Sequence, residues 1–297
     1  MSNSVPKVAV VLGGGGIKPY SAIPLIRLLE KQNIPVQLLV GCSGGSIMAS
    51  LWAAGYTIDQ MFHEVAPKLK KSSFKVNYKA VLALANLPGG RIDKESALIH
   101  SGPIRKIMRE LWGDTRLEDL KIKTILQVTD FQTGEGIGME KGLVADCVYA
   151  SSALFPLLPP IKIGQRWLFD GGYTAPLPIL QAIKHDVDII IAVDFLEKVQ
   201  QDPKGIFDNL EHTGKLSAKS LSAAQMALSI DLHNAEVIYM KVEFDNFISF
   251  WEVEKFPEIL EAGEKALAKI HDELLCVFKS FYDKDKLEDC RAEKAII

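Results

Sequence analysis

Two short apolar runs that each end abruptly in glycine constrain this chain more than anything else in it. Lys7-Val8-Ala9-Val10-Val11-Leu12 stops at Gly13-Gly14-Gly15-Gly16, and Val36-Gln37-Leu38-Leu39-Val40 stops at Gly41-Cys42-Ser43-Gly44-Gly45. Runs this short and this rich in branched side chains read as strands, and helical periodicity follows each, over Ser21 to Gln32 and Ser46 to Ala54. Asn33-Ile34-Pro35 breaks the first helix before the second strand begins. Two successive apolar strands, each followed by a helix, predict a parallel sheet covered on both faces. The expected fold class is therefore α/β, a three-layer α/β/α sandwich with a central, mostly parallel sheet.

Farther along, Thr57 to Trp112 is helical but irregular, broken at Pro67, Pro88-Gly89-Gly90 and Gly102-Pro103, and reads as short helices in a variable surface insertion. Ile122 to Thr129 is a strand with a return strand after Gly134-Glu135-Gly136-Ile137-Gly138, and Val144 to Leu154 is a helix ending at Phe155-Pro156. Ile161 to Phe169 forms a hairpin pointing at Asp170-Gly171-Gly172. Ile179 to Lys184 fits a helix, and the apolar run Val187 to Val193 suits the centre of a parallel sheet. Residues 198 to 206 read as loop, about Leu216 to Leu232 as helix, Glu236 to Val242 as strand and about Phe256 to Tyr282 as a long amphipathic helix. One domain is expected over residues 7–275, with 276–297 as the helix end and tail.

The chain has 297 residues, 48% hydrophobic and 24% charged, which is ample for a core and excludes general disorder. A net charge of −3 supplies no basic field for nucleic acid. No apolar segment reaches the ~18 residues of a membrane span, and Met1 to Pro6 lacks the basic-then-apolar pattern of a secretory signal. Cysteines 42, 147, 276 and 290 are not spaced as a disulfide framework or zinc site, and the six histidines show no paired metal spacing. The expectation is a cytoplasmic protein, peripheral to a membrane if lipid is its substrate, with no metal and no organic cofactor; the oligomeric state is left open.

Ser43 is the centre of a G-x-S-x-G elbow, in which flanking glycines let the backbone turn sharply and present the hydroxyl above a helix N-terminus. Along the chain the order is Gly13-Gly14-Gly15-Gly16-Ile17-Lys18, then the elbow, then Asp170-Gly171-Gly172, with Ala150-Ser151-Ser152-Ala153-Leu154-Phe155-Pro156-Leu157-Leu158-Pro159-Pro160 leading up to the aspartate. This arrangement resembles the patatin-like phospholipase family, whose pattern is G-G-G-x-R/K-G, then G-x-S-x-G, then D-G-A/G. The similarity runs from about Lys7 to Asp194 and more loosely to about Ala268. It implies a patatin-like fold and hydrolysis of phospholipids or lysophospholipids.

The residues argue for the same chemistry. A serine hydroxyl needs a base for its proton and donors for the oxyanion that forms during acyl transfer. Ser43 is the expected nucleophile and Asp170 the base. The expected oxyanion hole draws on Gly14, Gly15, Gly16, Lys18 and Gly44, with Gly41, Gly45, Gly171 and Gly172 supporting the turns. An aspartate is a weak base, since its ordinary pKa of ~3.9 lies roughly three units, or about 4 kcal/mol, below neutral pH. Asp170, beside Phe169 and Tyr173, is therefore expected to be partly desolvated and within hydrogen-bond reach of Ser43. Two residues depart from the family pattern. Lys18 replaces the usual arginine, keeping the charge without the planar fork, and Pro19 replaces the last glycine, which suits the first turn of a helix.

Rival readings stay open at this point. Ser43, Asp170 and then His212, His233 or His271 follow the chain order of a Ser-Asp-His esterase. An acyltransferase would use the same serine, and a catalytically silent lipid-binding protein fits Lys18 and Pro19. A dinucleotide loop does not fit, because both frames of the glycine run miss the third glycine. Cys42 reads as a small buried thiol, and Asp130 and Asp194 as structural residues. Lys68, Lys70, Lys71, Lys75 and Lys79, with no acidic residue among them, read as a solvated helical face, or else as a docking edge for an anionic membrane. Phe244, Phe247, Phe250 and Trp251 read as core, or else as an acyl-chain wall.

Overall fold

A computed structural model of the protein describes residues 5–85, 88–90, 96–197, 206–230, 232 and 235–282. Among the described residues eight strands, β1 Val8–Leu12, β2 Val36–Cys42, β3 Lys123–Asp130, β4 Gly136–Met139, β5 Ile161–Ile163, β6 Arg166–Asp170, β7 Ile189–Glu197 and β8 Glu236–Phe244, form one sheet. β3, β2, β1, β7 and β8 lie side by side in that order and run parallel. β4 and β6 are antiparallel to β3, and β5 is antiparallel to β6.

The alternation of side chains along β1 makes the three layers. Val8, Val10 and Leu12 join an apolar cluster with Leu25 and Leu29 of helix Ile23–Lys31, Met48 and Leu51 of helix Gly44–Ala54, and Leu274 of helix Phe256–Tyr282. Ala9 and Val11 join a second cluster on the opposite face, with Leu177, Ile179 and Ala182, against which Met226 of helix Ile206–Ile230 packs. All five residues of β1 are buried. An unbroken apolar run, rather than an alternating one, is what a strand covered on both faces requires.

The insertion is a series of short pieces. Helix Ile58–Gln60, opened by a capping box between Thr57 and Gln60, passes through a wide turn at Met61–Val65 and tight turns at Ala66–Leu69 and Lys71–Ser73 to helices Tyr78–Leu84 and Ser101–Trp112. The five lysines therefore do not share one helical face. Lys70 is extended and breaks the segment, Lys68 pairs with Glu110 at 3.3 Å, and Lys79 lies on the next helix.

Helix Ile206–Ile230 begins at Ile206 rather than about Leu216, because the polar run Glu211-His212-Thr213 and the poor helix former Gly214 interrupt the apolar positions Ile206, Phe207 and Leu210 in the sequence. Of the loop expected at 198–206, residues 198–205 lie outside the described residues and Ile206 already begins the helix, and the tail beyond Tyr282 also lies outside them. Cys276 is disulfide-bonded, which the spacing of the cysteines does not foretell, whereas Cys42 and Cys147 are free and buried. No described helix is long and apolar enough to cross a membrane.

Candidate active site

β1 and β2 deliver their glycine-ended tips to the same edge of the sheet, at the place where the strand order passes from one side of β1 to the other. Ser43 follows β2 and has φ 51° and ψ −122°. A non-glycine residue held at positive φ stores strain of about 1–3 kcal/mol, which the surroundings must enforce. They do so through both halves of its backbone. The Ser43 N–H donates to Ser151 Oγ at 3.0 Å, and the Ser43 carbonyl accepts from Ser46 Oγ at 2.6 Å, Ser46 N–H at 2.9 Å and Ser152 Oγ at 3.2 Å.

Sheet register explains how Asp170 reaches this serine. β3 carries β4 on one side over Leu126 to Thr129. Its other side is taken by β2 up to the pairing of Cys42 with Gln127, and from the next rung by β6, where Asp170 stands opposite Val128. β2 and β6 thus meet end to end along β3. The residue after Cys42 comes to lie beside Asp170, and Ser43 Oγ donates to Asp170 Oδ2 at 2.8 Å across 127 positions of sequence. Ser151 fills the junction, donating its own hydroxyl proton to the Gln127 carbonyl at 2.7 Å.

Asp170 is only 3% exposed. Burial raises its pKa from the ordinary 3.8 to about 6, against the opposing pull of the Gly172 N–H, at 2.7 Å from Oδ1, and of the Ser43 hydroxyl. Thr129 Oγ1 fixes the backbone by donating to the Asp170 carbonyl at 2.9 Å. Gly171 admits no side chain, since a Cβ there would stand 2.2 Å from the Gln127 carbonyl oxygen.

The glycine run lies against the elbow. A Cβ on Gly44 would come within 1.9 Å of the Gly16 carbonyl oxygen, so the two loops approach more closely than any other residue allows. Gly41 and Gly45 pack against each other beneath Ser43. The Gly14 N–H, expected in the oxyanion hole, is instead donated to the Pro176 carbonyl at 2.8 Å, and Gly13 anchors to Val193 at 3.0 Å. Among the described residues the Gly15 and Gly16 N–H groups donate to no protein acceptor, and Gly44, as first residue of its helix, has no carbonyl one turn back to bond. Lys18 folds its side chain along Gly15 and begins, with Pro19, the tight helical turn Lys18–Ala22. Proline at the first turn is accommodated as the sequence suggests.

Of the residues with rival readings, Cys42 is buried, and burial together with the neighbouring Asp170 charge pushes its thiol pKa well up, leaving it protonated. Asp130 caps the turn after β3 through the Gln132 and Thr133 N–H groups, and Asp194 accepts from the Tyr239 hydroxyl at 2.8 Å. Phe244 is core, whereas Phe250 packs on Gly16 and meets Phe74 edge to face at 4.9 Å. His271 bonds Asp272 at 3.1 Å, His212 lies on helix Ile206–Ile230, and His233 falls outside the described residues. Among the described residues no histidine hydrogen-bonds Ser43 or Asp170. Nor does any group of three or more His, Cys, Asp or Glu gather there so as to hold a metal ion. Sequence reasoning gave no role to Ser151, Gln127, Thr129 or Pro176. Only the serine pair at 151 and 152 had a signal, lying in the segment that leads to the aspartate.

The chain is similar to known proteins in both sequence and fold. The sequence model of the patatin-like phospholipase family matches residues 10–183, a span that contains Ser43, Asp170 and the glycine run. Lysophospholipase NTE1 of Debaryomyces hansenii is 26% identical over 276 residues, covering 86% of this chain and 17% of that protein. Lysophospholipase NTE1 of Candida albicans is 30% identical over 203 residues, covering 68% of this chain and 14% of that protein. This chain therefore spans less than a fifth of either fungal relative. Among solved structures, VipD from Legionella pneumophila aligns with a TM-score of 0.47 at 16% identity, over 91% of this chain and 67% of that one. With its family model matched over more than half its length and the glycine loop, serine elbow and aspartate turn gathered at one edge of the sheet, this chain belongs to the patatin-like phospholipase family.

Proposed function

We propose that the protein is a serine acyl hydrolase that cleaves carboxylic esters of lipids, of phospholipase or lysophospholipase type, through an acyl-enzyme formed by a Ser43–Asp170 dyad. The observation that carries this reading is the 2.8 Å hydrogen bond from Ser43 Oγ to a buried carboxylate. In the first half-reaction Ser43 Oγ attacks the ester carbonyl while Asp170 takes its proton. The alcohol leaves with that proton, and the acyl group stays on Ser43. Water then attacks the acyl-enzyme, with Asp170 again accepting a proton, and the fatty acid is released as Ser43 regains its hydrogen.

Desolvation makes up most of the shortfall in basicity. With a pKa of about 6, Asp170 is largely ionised at neutral pH yet much more basic than an exposed carboxylate. The oxyanion is received by the N–H groups of Gly15, Gly16 and Gly44, with Gly14 holding the loop in place through Pro176. Each such donor is worth about 100- to 1,000-fold in rate. Lys18, lying along Gly15, adds positive charge near the developing anion.

A panel of phospholipids, lysophospholipids and simple esters, assayed with wild type and Ser43→Ala, tests the assignment, with products analysed in the presence of an added alcohol. Release of free fatty acid that vanishes in Ser43→Ala supports it. Transfer of the acyl group to the alcohol in place of water would make the protein an acyltransferase, and no turnover of any ester would make it a binding protein.

A further inference from the structure

Beside the dyad, on the edge of the sheet where β2 ends at Ser43, the protein carries a connected group of exposed apolar side chains. Phe131, which follows the end of β3, is 48% exposed, Leu154 43%, Phe155 41% and Tyr173 47%. Phe131 meets Phe155 and Phe169 edge to face at 6.1 and 5.2 Å, Phe169 stacks on Tyr173 at 4.6 Å, and the Tyr173 hydroxyl donates to the Phe155 carbonyl. Scattered exposed apolar residues need no explanation, but a contiguous aromatic patch marks an interaction surface.

The placement of the patch says what it meets. Leu154 and Phe155 continue the segment whose Ser151 and Ser152 hold the Ser43 backbone, and Phe169 and Tyr173 flank Asp170. A protein seated on this rim would cover the approach to Ser43, whereas a lipid surface would bring substrate to it. Arg166 on β6 is committed to Glu135 at 2.7 Å and to Asp130 at 3.6 Å, so it adds no free charge for anionic head groups.

We propose that Phe131, Leu154, Phe155 and Tyr173 form the rim by which the protein seats itself on a lipid surface, with the Ser43 site facing the lipid. Apolar insertion, with Phe and Tyr at the head-group boundary, drives the contact. The contact is therefore indifferent to lipid charge and resistant to salt, unlike docking through the exposed lysines at 70, 71, 75 and 79. The inference rests on the lipid-esterase reading above.

The test is sedimentation with zwitterionic phosphatidylcholine vesicles, alongside assays on vesicle-borne substrate and on a water-soluble short-chain ester. Wild type is expected to sediment with these vesicles equally at low and high salt. Phe131→Ser/Leu154→Ser is expected to lose vesicle binding and vesicle-substrate activity together by ~10-fold or more, with the soluble ester hydrolysed as before. Should that variant fail to fold, Phe131→Trp serves instead, its added indole expected to be quenched by brominated phosphatidylcholine. Unchanged vesicle binding in the double variant, binding that needs anionic lipid or disappears with salt, self-association through the patch, or an unquenched indole would each overturn the proposal. A wild type that binds vesicles but hydrolyses no ester would refute the catalytic reading while leaving the rim standing.

Discussion

Ser151 bridges Ser43 and Gln127: its hydroxyl accepts the Ser43 N–H at 3.0 Å and donates to the Gln127 carbonyl at 2.7 Å. It thereby ties the strained elbow to β3 at the rung where β2 ends. Ser151→Ala leaves a buried carbonyl and an elbow N–H without partners, which typically costs about 1–3 kcal/mol. The expected outcome is a kcat lowered ~10- to 100-fold by misplacement of the nucleophile, with a fall in Tm. Steady-state kinetics and thermal unfolding of the variant check both parts.

Phe250 braces the glycine loop. Gly16 has φ 61°, and a Cβ on it would stand 2.5 Å from the Phe250 Cβ, so this side chain is the wall behind the Gly16 peptide. Phe250→Gly, which removes the Cβ itself, should free that peptide to turn its N–H away, lowering kcat by up to ~100-fold, the value of one donor, with KM little changed. Phe250→Leu should recover most of the loss. A change confined to KM would show that Phe250 contacts substrate instead.

Asp170 trades stability for basicity, and the direction follows from its pKa. Burial puts the folded value near 6, above the ordinary 3.8, so the folded protein holds the proton more tightly than the unfolded chain. Its stabilising contribution is complete below about pH 4 and is lost as pH rises through about 6. Asp170→Asn removes that loss. It should be more stable than wild type at pH 8, by up to about 3 kcal/mol, and no more stable near pH 4, while being inactive. Denaturant unfolding at the two pH values measures the difference.

Gly44→Ala should disable the site by contact alone. The new methyl would meet the Gly16 carbonyl oxygen at 1.9 Å, forcing the elbow and glycine loop apart. At least ~100-fold loss of activity is expected, with labelling of Ser43 by a fluorophosphonate slowed in proportion. Retention of wild-type labelling would mean that the loops separate without cost.

The sheet was legible because its central strands are buried on both faces, which leaves unbroken runs such as Val8 to Leu12 and Ile189 to Val193 in the sequence. Ser43 and Asp170 were legible because sharp turns demand glycines beside them. Gly14 misled, since four consecutive glycines do not reveal which N–H is spent on a distant carbonyl such as that of Pro176. Ser151, Gln127 and Phe250 act through contacts between segments far apart in sequence, which leave no local pattern. The lysine segment broke up for a similar reason, because tertiary packing of Phe74 against Phe250 and Trp251 took precedence over any local helical pattern.

The most direct test of the Ser43–Asp170 pair is the rate at which a fluorophosphonate labels Ser43 as a function of pH, in wild type, in Asp170→Asn and in a variant with His212, His233 and His271 all changed to alanine. Wild-type labelling is expected to rise through about pH 6 and level off, the histidine variant to match it, and Asp170→Asn to fall by ~100-fold or more. Wild-type rates in Asp170→Asn, or loss of labelling in the histidine variant, would contradict the Ser43–Asp170 dyad.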